Sequence, residues 1–159
     1  MSENITNPSP AKPEKTGKSR RKSRELVLKA IYRGLLNKGE LSQIRRDAME
    51  DPDYTHADVD YFRLLLEGVH EQMVEIDSHL IKYTDRNVSA LSPIEHAILY
   101  ISAYELLYDP SIPYRVAINE GVELAKRFGG TDGHKYVNGV LDKLAAKARP
   151  SELAHARVP

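Results

Sequence analysis

Apolar residues recur at intervals of three and four positions through most of this 159-residue chain. That spacing places them along one face of a helix. No segment shows the sustained apolar–polar alternation of a half-buried strand. Between about residues 19 and 148, the pattern therefore predicts an all-α protein, with a single domain of about seven helices and no sheet.

Capping residues and glycines mark where the predicted helices begin and end. Ser92-Pro93-Ile94-Glu95 combines a capping serine, a proline at the first helical position and a glutamate three residues after the serine. The helix that it opens is very apolar, so we expect it at the centre of the core. The preceding amphipathic stretch, from Val59 to Leu80, is predicted to bend or break near Asp77. Gly129-Gly130 is predicted to end the helix before the last one.

The two ends of the chain lack this apolar spacing. Residues 1–18 are rich in proline, serine, asparagine and lysine, and Ile5 is the one large apolar residue among them. Such a segment cannot bury enough apolar surface to offset its ordering entropy. We predict disordered tails over residues 1–18 and 149–159, on either side of a helical domain over residues 19–148.

Positive charge is concentrated near the N-terminus although the formal net charge is zero. Seven of the 23 basic residues lie between Lys12 and Arg24, together with one acidic residue, Glu14. This asymmetry favours an arm that binds a polyanion such as a nucleic acid. A solubilising tail, a localisation signal and a membrane-surface contact are the alternatives.

Four basic side chains fall at the predicted start of the first helix, at Arg20, Arg21, Lys22 and Arg24. A helix N-terminus favours anions over cations by ~0.3–1 kcal/mol per charge, so local helix energetics do not explain the cluster. An RNA phosphate backbone would neutralise it. Tyr32 lies two turns beyond Arg24 and could provide a platform for base stacking. Taken alone, Tyr32 is more typical of an aromatic residue at the edge of a core.

A second candidate site surrounds the three glycines between residues 129 and 133. Lys135, Tyr136 and Asn138 follow at the predicted start of the last helix, where a phosphate or a base could bind. The stretch matches neither the phosphate-loop pattern nor the GxGxxG pattern. A plain turn between two helices, with a left-handed glycine, is the alternative.

Signals for catalysis or metal binding are weak. The chain has no cysteine, which excludes disulfides, zinc–thiolate sites and thiol nucleophiles. Glu67 and His70 have the spacing found in di-iron bundles, but a second Glu-x-x-His pair is missing. Glu75 and His79 are more typical of an exposed pair on a helix. No HExxH or GxSxG motif is present, so the residues themselves favour neither an enzyme nor a metal site.

The cellular location is predicted from two missing signals. No apolar run approaches the ~20 residues that span a bilayer. The N-terminus also lacks the apolar core of a secretory signal. We therefore expect a cytoplasmic protein.

Five segments, taken together and in order, resemble one known family. They are SRRKSRELVLKAIY (residues 19–32), VDYFRLLLEGV (59–69), IPYRVAINE (112–120), ELAKRFGG (123–130) and HKYVNGVLDKLA (134–145). The last three are quite specific in combination. Through them the chain resembles the NusB family, over about residues 19–148.

This resemblance implies a fold and a function. The fold would be all-helical, with two packed helical subdomains. Members of the family bind the boxA segment of nascent RNA, most strongly together with NusE, a protein of the small ribosomal subunit. The resulting complex restrains RNA polymerase from premature termination, notably during ribosomal RNA synthesis. Neither catalysis nor a cofactor is implied.

The resemblance also implies two binding faces. The RNA-binding residues would be Arg20, Arg21, Lys22, Arg24, Tyr32, Lys135, Tyr136 and Asn138. Asp132 would lie beside them and temper RNA affinity by like-charge repulsion. Tyr83 and Glu95 would lie on the NusE-facing surface. The arm departs from an unbroken arginine run at Lys22 and Ser23, which leaves open which side chain binds which phosphate.

Two other kinds of protein are compatible with a NusB-like sequence. A NusB-like module also occurs at the N-terminus of some ribosomal RNA cytosine methyltransferases. We expect no such enzyme here, because little of the chain is left for a cofactor-binding domain and it has no cysteine. The other alternative is a protein-interaction module with an incidental basic arm. Shortening the arm would distinguish the two, because RNA affinity would change only if the arm binds RNA.

Overall fold

The computed structural model describes residues 19–37, 40–85 and 91–157. In these ranges the chain forms seven α-helices and a short 3₁₀ helix, with no strand beyond an isolated bridge between Ser19 and Ala57. The elements are α1 (Arg20–Asn37), α2 (Leu41–Met49), the 3₁₀ helix (Pro52–His56), α3 (Val59–Leu80), α4 (Pro93–Tyr108), α5 (Tyr114–Phe128), α6 (Gly133–Ala148) and α7 (Pro150–Arg157). The N-terminal tail predicted over residues 1–18 lies outside the described residues.

The helices pack as two groups that share one central helix. α1 packs on α2 and α3, while α4, α5 and α6 pack on one another. α1 and α3 also contact α4, and every residue of α4 from Ala97 to Ala103 is buried. A helix that is apolar on all sides is stable only when it is surrounded in this way. The predicted all-α fold and the central position of α4 are confirmed.

The capping signal at the start of α4 is also confirmed. The Ser92 hydroxyl oxygen accepts a hydrogen bond from the Glu95 backbone N–H at 3.1 Å. The predicted bend near Asp77 is wrong, because α3 runs unbroken to Leu80. The Asp77 carboxylate instead accepts a hydrogen bond from the Tyr100 hydroxyl at 2.6 Å, and it lies 2.7 Å from Nε2 of His96. Asp77 thus joins α3 to α4.

The prediction of a disordered C-terminal tail is wrong for residues 150–157, which form α7. Pro150 begins this helix rather than ending the fold, since the first helical position needs no backbone N–H. The Glu152 carboxylate accepts a hydrogen bond from the Tyr114 backbone N–H at 2.7 Å, and Leu153 packs against the core. These tertiary contacts hold α7 in place.

Arg149, between α6 and α7, ties the C-terminal segment to the end of α4. Its guanidinium donates to four backbone carbonyls, those of Glu105, Leu106, Asp109 and Ile112, at 2.9–3.0 Å. The last carbonyls of a helix have no partner within the helix itself. Arg149 donates to two such carbonyls at the end of α4 and to two carbonyls of the loop that follows.

None of the helices in the described part of the chain has the length and apolarity that crossing a bilayer requires.

Gly121 marks the closest packing of α5 against its neighbours. A Cβ added there would clash with the Ser102 hydroxyl oxygen and lie 3.1 Å from a Leu141 methyl. Ser102 is buried, and its hydroxyl donates to the Ala117 carbonyl at 2.9 Å. We therefore expect Gly121→Ala to lower the free energy of unfolding by about 1–3 kcal/mol, as overpacking does.

The control for this prediction is Gly139→Ala in α6, where a Cβ would meet nothing within 4 Å. Alanine is favoured over glycine in a helix by about 1 kcal/mol, so this variant should be more stable. Urea denaturation measures both changes. An equal gain in stability for the two variants would contradict the close approach of α5 to α4.

Candidate nucleic-acid interface

The four predicted arm residues lie at the start of α1, and they differ in how exposed their side chains are. Arg20 and Arg21 are exposed, with 59% of the Arg21 side chain accessible. Lys22 is half-buried. Arg24 points into the core, with only 5% of its side chain accessible. The surface-facing part of the arm is therefore Arg20 to Lys22.

Arg24 neutralises a buried carboxylate at the centre of the fold. Its Nε donates to the Glu105 carboxylate at 2.8 Å, and the Tyr61 hydroxyl donates to the same oxygen. Burial raises the pKa of the Glu105 carboxyl, and the Arg24 charge opposes that rise. A buried charge requires such a partner. The prediction that Arg24 binds an RNA phosphate does not agree with this position, and we assign Arg24 to the core.

The exposed arm residues form ion pairs with carboxylates at the surface. Arg21 makes a two-pronged contact with Glu120, at 2.8 and 3.1 Å, which raises the pKa of Arg21. Arg20 lies 3.8 Å from Asp58 and stacks over the Tyr61 ring at 4.4 Å. A phosphate that binds here must share these cations with protein carboxylates.

Lys22 also has two carboxylate neighbours. Its ammonium lies 3.3 Å from Glu25 and 3.6 Å from Asp53. Since Lys22 is half-buried between them, it is less available to an outside anion than Arg20 or Arg21.

The second predicted group surrounds the start of α6. Lys135 and Asp132 are both exposed and form an ion pair at 3.6 Å. Asn138 is exposed three residues after Lys135, on the same face of α6. Tyr136 is half-buried and packs against the core. Together these side chains place a cation, an amide and an aromatic ring at one helix end.

Tyr136 lies between two surface depressions, each of which also contains a residue predicted to face NusE. The first depression is lined by Glu95, Tyr136 and residues 130–133. The second is lined by Tyr83, Lys135 and Tyr136, among others. The fold thus brings together predicted residues from the end of α3, the start of α4 and the start of α6.

Tyr32 lies half-buried on α1, at the end of a row of side chains that begins at Arg21. Arg21, Glu25 and Tyr32 are separated by four and seven residues, which places them on one helix face. The Glu25 carboxylate in this row accepts a hydrogen bond from Arg127 near the end of α5. α5 continues through residues 129–132 into α6, so Arg127 lies between the arm and the α6 site. Arg127 is not among the RNA-binding residues predicted from the sequence.

Comparison with known proteins places most of the helical region in one family. The model of the NusB family matches residues 21–146. A transcription antitermination protein NusB from Methylobacillus flagellatus is 66% identical over 143 residues, which is 90% of this chain and 93% of that protein. The protein of the same name from Thiobacillus denitrificans is 50% identical over 139 residues, 87% of this chain and 96% of its own length.

Solved structures agree with the sequence comparison. A structure of NusB from T. maritima has a TM-score of 0.76 and 30% identity, and covers 86% of this chain and 98% of its own. A crystal structure of antitermination factors NusB and NusE in complex with dsRNA has a TM-score of 0.74 and 22% identity, with 80% and 96% coverage. This second likeness concerns the fold alone. The chain belongs to the NusB family, and its relatives from Methylobacillus flagellatus and Thiobacillus denitrificans are transcription antitermination proteins.

Proposed function

We propose that this chain is an RNA-binding transcription antitermination factor of the cytoplasm. It binds boxA RNA of nascent transcripts, especially ribosomal RNA, together with NusE, and the complex helps RNA polymerase resist premature termination. The observation that carries this proposal is the position of Tyr136, between one depression lined by Glu95 and another lined by Tyr83 and Lys135. A similar solved structure, which contains NusB, NusE and RNA, supports the choice of partners.

RNA is held by phosphate contacts and by stacking of unpaired bases. Proteins recognise single-stranded RNA by combining cations along the backbone with aromatic rings under the bases. Arg20 and Arg21 are exposed at the start of α1, and Lys135 is exposed at the start of α6. A guanidinium group can bind two phosphate oxygens at once, which suits the arm to this role. Tyr32 and Tyr136 provide the aromatic rings.

NusE binds beside the RNA, on the surface that contains Tyr83 and Glu95. Because the two depressions share Tyr136, a protein seated on Tyr83 and Glu95 would border the RNA site. Each partner would then change the affinity of the other by the same factor. This arrangement accounts for joint binding without any change in the fold.

The proposal is tested by titrating the chain with a boxA-like single-stranded RNA and with a scrambled RNA of equal length. We expect the boxA-like RNA to bind more tightly, and we expect NusE to increase that difference. Fluorescence anisotropy of labelled RNA measures both effects. Equal affinity for the two RNAs, with or without NusE, would contradict the proposal.

Reversing the charge of Glu95 should weaken NusE binding by several-fold or more. Like charges brought together at an interface are strongly unfavourable, and a ribosomal protein that binds RNA is expected to present positive charge. Calorimetry of NusE binding to Glu95→Lys measures the loss. Binding of RNA without NusE should not weaken in this variant.

The matched control is Glu71→Lys, which makes the same charge change at an exposed position of α3. NusE affinity should be close to wild type in this control. Equal losses in the two variants would show a general charge effect rather than a contact at Glu95.

A further inference from the structure

Arg127 is an exposed cation for which the proposed function gives no role so far. Its side chain is 57% accessible, although its partner Glu25 is almost fully buried at 3%. In the described part of the chain, its one hydrogen bond runs from Nη1 to the Glu25 carboxylate, and the guanidinium also lies over the Phe128 ring, 5.2 Å from the ring centroid. A guanidinium group has five N–H donors, so this contact uses only a small part of its capacity.

Arg127 differs in this respect from Arg21, which lies in the same depression. Both Nε and Nη2 of Arg21 are hydrogen-bonded to Glu120. A phosphate that takes the paired edge of Arg21 must displace a carboxylate. Arg127 can bind a phosphate through its remaining donors while Nη1 stays on Glu25. Arg127 is therefore held in position and still able to bind an anion.

Six charged side chains line this depression: the cations Arg21, Lys126 and Arg127 and the carboxylates Glu25, Glu120 and Glu123. The carboxylates of Glu25 and Glu120 lie beneath, since their side chains are the less accessible members of the two ion pairs. The guanidinium groups of Arg21 and Arg127 lie above them, each more than half exposed. Lys126 and Glu123 form an ion pair with each other, and both are about half exposed. The number of charges balances, but an approaching ligand meets three exposed cations and one exposed carboxylate. Such a surface favours a polyanion over a neutral or cationic ligand.

The position of Arg127 connects the two halves of the proposed RNA site. Arg21 at the start of α1 and Arg127 at the end of α5 line one depression. Gly130, three residues after Arg127, lines the next depression with Tyr136. An RNA strand that runs from the arm to the start of α6 would pass over Arg127.

We infer that Arg127 is a further RNA-binding residue, whose guanidinium is anchored by Glu25 and binds a backbone phosphate between the arm and α6. This inference rests on the proposed function. It adds a contact that the resemblance to the NusB family did not assign. Glu25 acts here as a positioning residue, because its buried carboxylate holds the guanidinium without touching the RNA.

The test compares Arg127→Gln with Arg115→Gln in titrations of boxA-like RNA at several salt concentrations. Arg115 is exposed near the other end of α5, 12 residues away, or about 18 Å along the helix. Each lost phosphate contact on a single strand reduces the slope of log affinity against log salt by about 0.7. We expect that reduction in Arg127→Gln, and the wild-type slope in Arg115→Gln and in Arg127→Lys.

A second measurement does not depend on the stability of any variant. RNA should protect Arg127 of the unmodified chain from phenylglyoxal, detected by mass spectrometry, while Arg115 stays reactive. Wild-type slope in Arg127→Gln, or no protection of Arg127, would overturn the inference while tight boxA binding left the proposed function intact. Loss of boxA preference in the unmodified chain would overturn both.

Discussion

Replacing Arg24 with alanine is expected to lower the free energy of unfolding by about 3–5 kcal/mol, because it leaves a buried carboxylate without its counter-charge. The Glu105 side chain is completely inaccessible, and Arg24 Nε is its cationic partner at 2.8 Å. Urea denaturation followed by circular dichroism measures the loss. For a chain of this size the effect is a large share of total stability.

Two controls separate this explanation from a general effect of removing a cation. Arg20→Ala removes an exposed arginine from the same helix and should cost no more than about 1 kcal/mol. Arg24→Met combined with Glu105→Leu and Tyr61→Phe removes both charges and the buried hydroxyl that would lose its acceptor. This variant should recover most of the loss, because apolar replacements of a buried ion pair are often well tolerated. A small cost for Arg24→Ala would contradict the assignment of Arg24 to the core as the counter-charge of Glu105.

Replacing Tyr136 with alanine should weaken boxA RNA binding by about 1–3 kcal/mol, the usual value of one base stacked on an aromatic ring. This corresponds to a loss of roughly 5- to 150-fold in affinity. The expectation rests on the half-buried ring of Tyr136 between the two depressions at the start of α6. Fluorescence anisotropy with labelled RNA measures the affinity, at a temperature where the variant is fully folded.

Tyr136→Phe is the matched variant, since it keeps the ring and removes only the hydroxyl. It should bind RNA with nearly wild-type affinity. Tyr136 also packs against the core, so its replacement by alanine should reduce thermal stability as well. A loss of stability without any loss of RNA affinity would identify Tyr136 as a core residue and not a stacking platform.

Most of the helices could be predicted from local sequence signals, because the caps and apolar spacing that define a helix involve residues close together in the chain. The cap formed by Ser92 and Glu95 lies within one helical turn, and so it can be read directly. α7 could not be predicted in the same way. Pro150 is compatible both with the start of a helix and with a tail. The choice depends on Glu152 reaching the Tyr114 backbone, 38 positions away.

Contacts between residues far apart in the chain also limited the prediction of the candidate site. Successive helix positions differ by about 100° in direction, so the arm cations cannot all face the solvent. The partner that draws Arg24 inward is Glu105, 81 positions away, although Glu105 is the one acid beyond the first turn of the very apolar α4, a signal that could have been used. Arg127 was missed because its position depends on Glu25, 102 residues away in the chain.

The central claim is that exposed cations at the start of α1 bind the phosphates of single-stranded RNA. The salt dependence of boxA-like RNA affinity, measured for the wild-type chain and for an Arg20→Gln/Arg21→Gln double variant, tests it most directly. We expect a slope that is shallower by about 1.4 in the double variant, since two phosphate contacts of about 0.7 each are lost. The same slope in both proteins would contradict the claim.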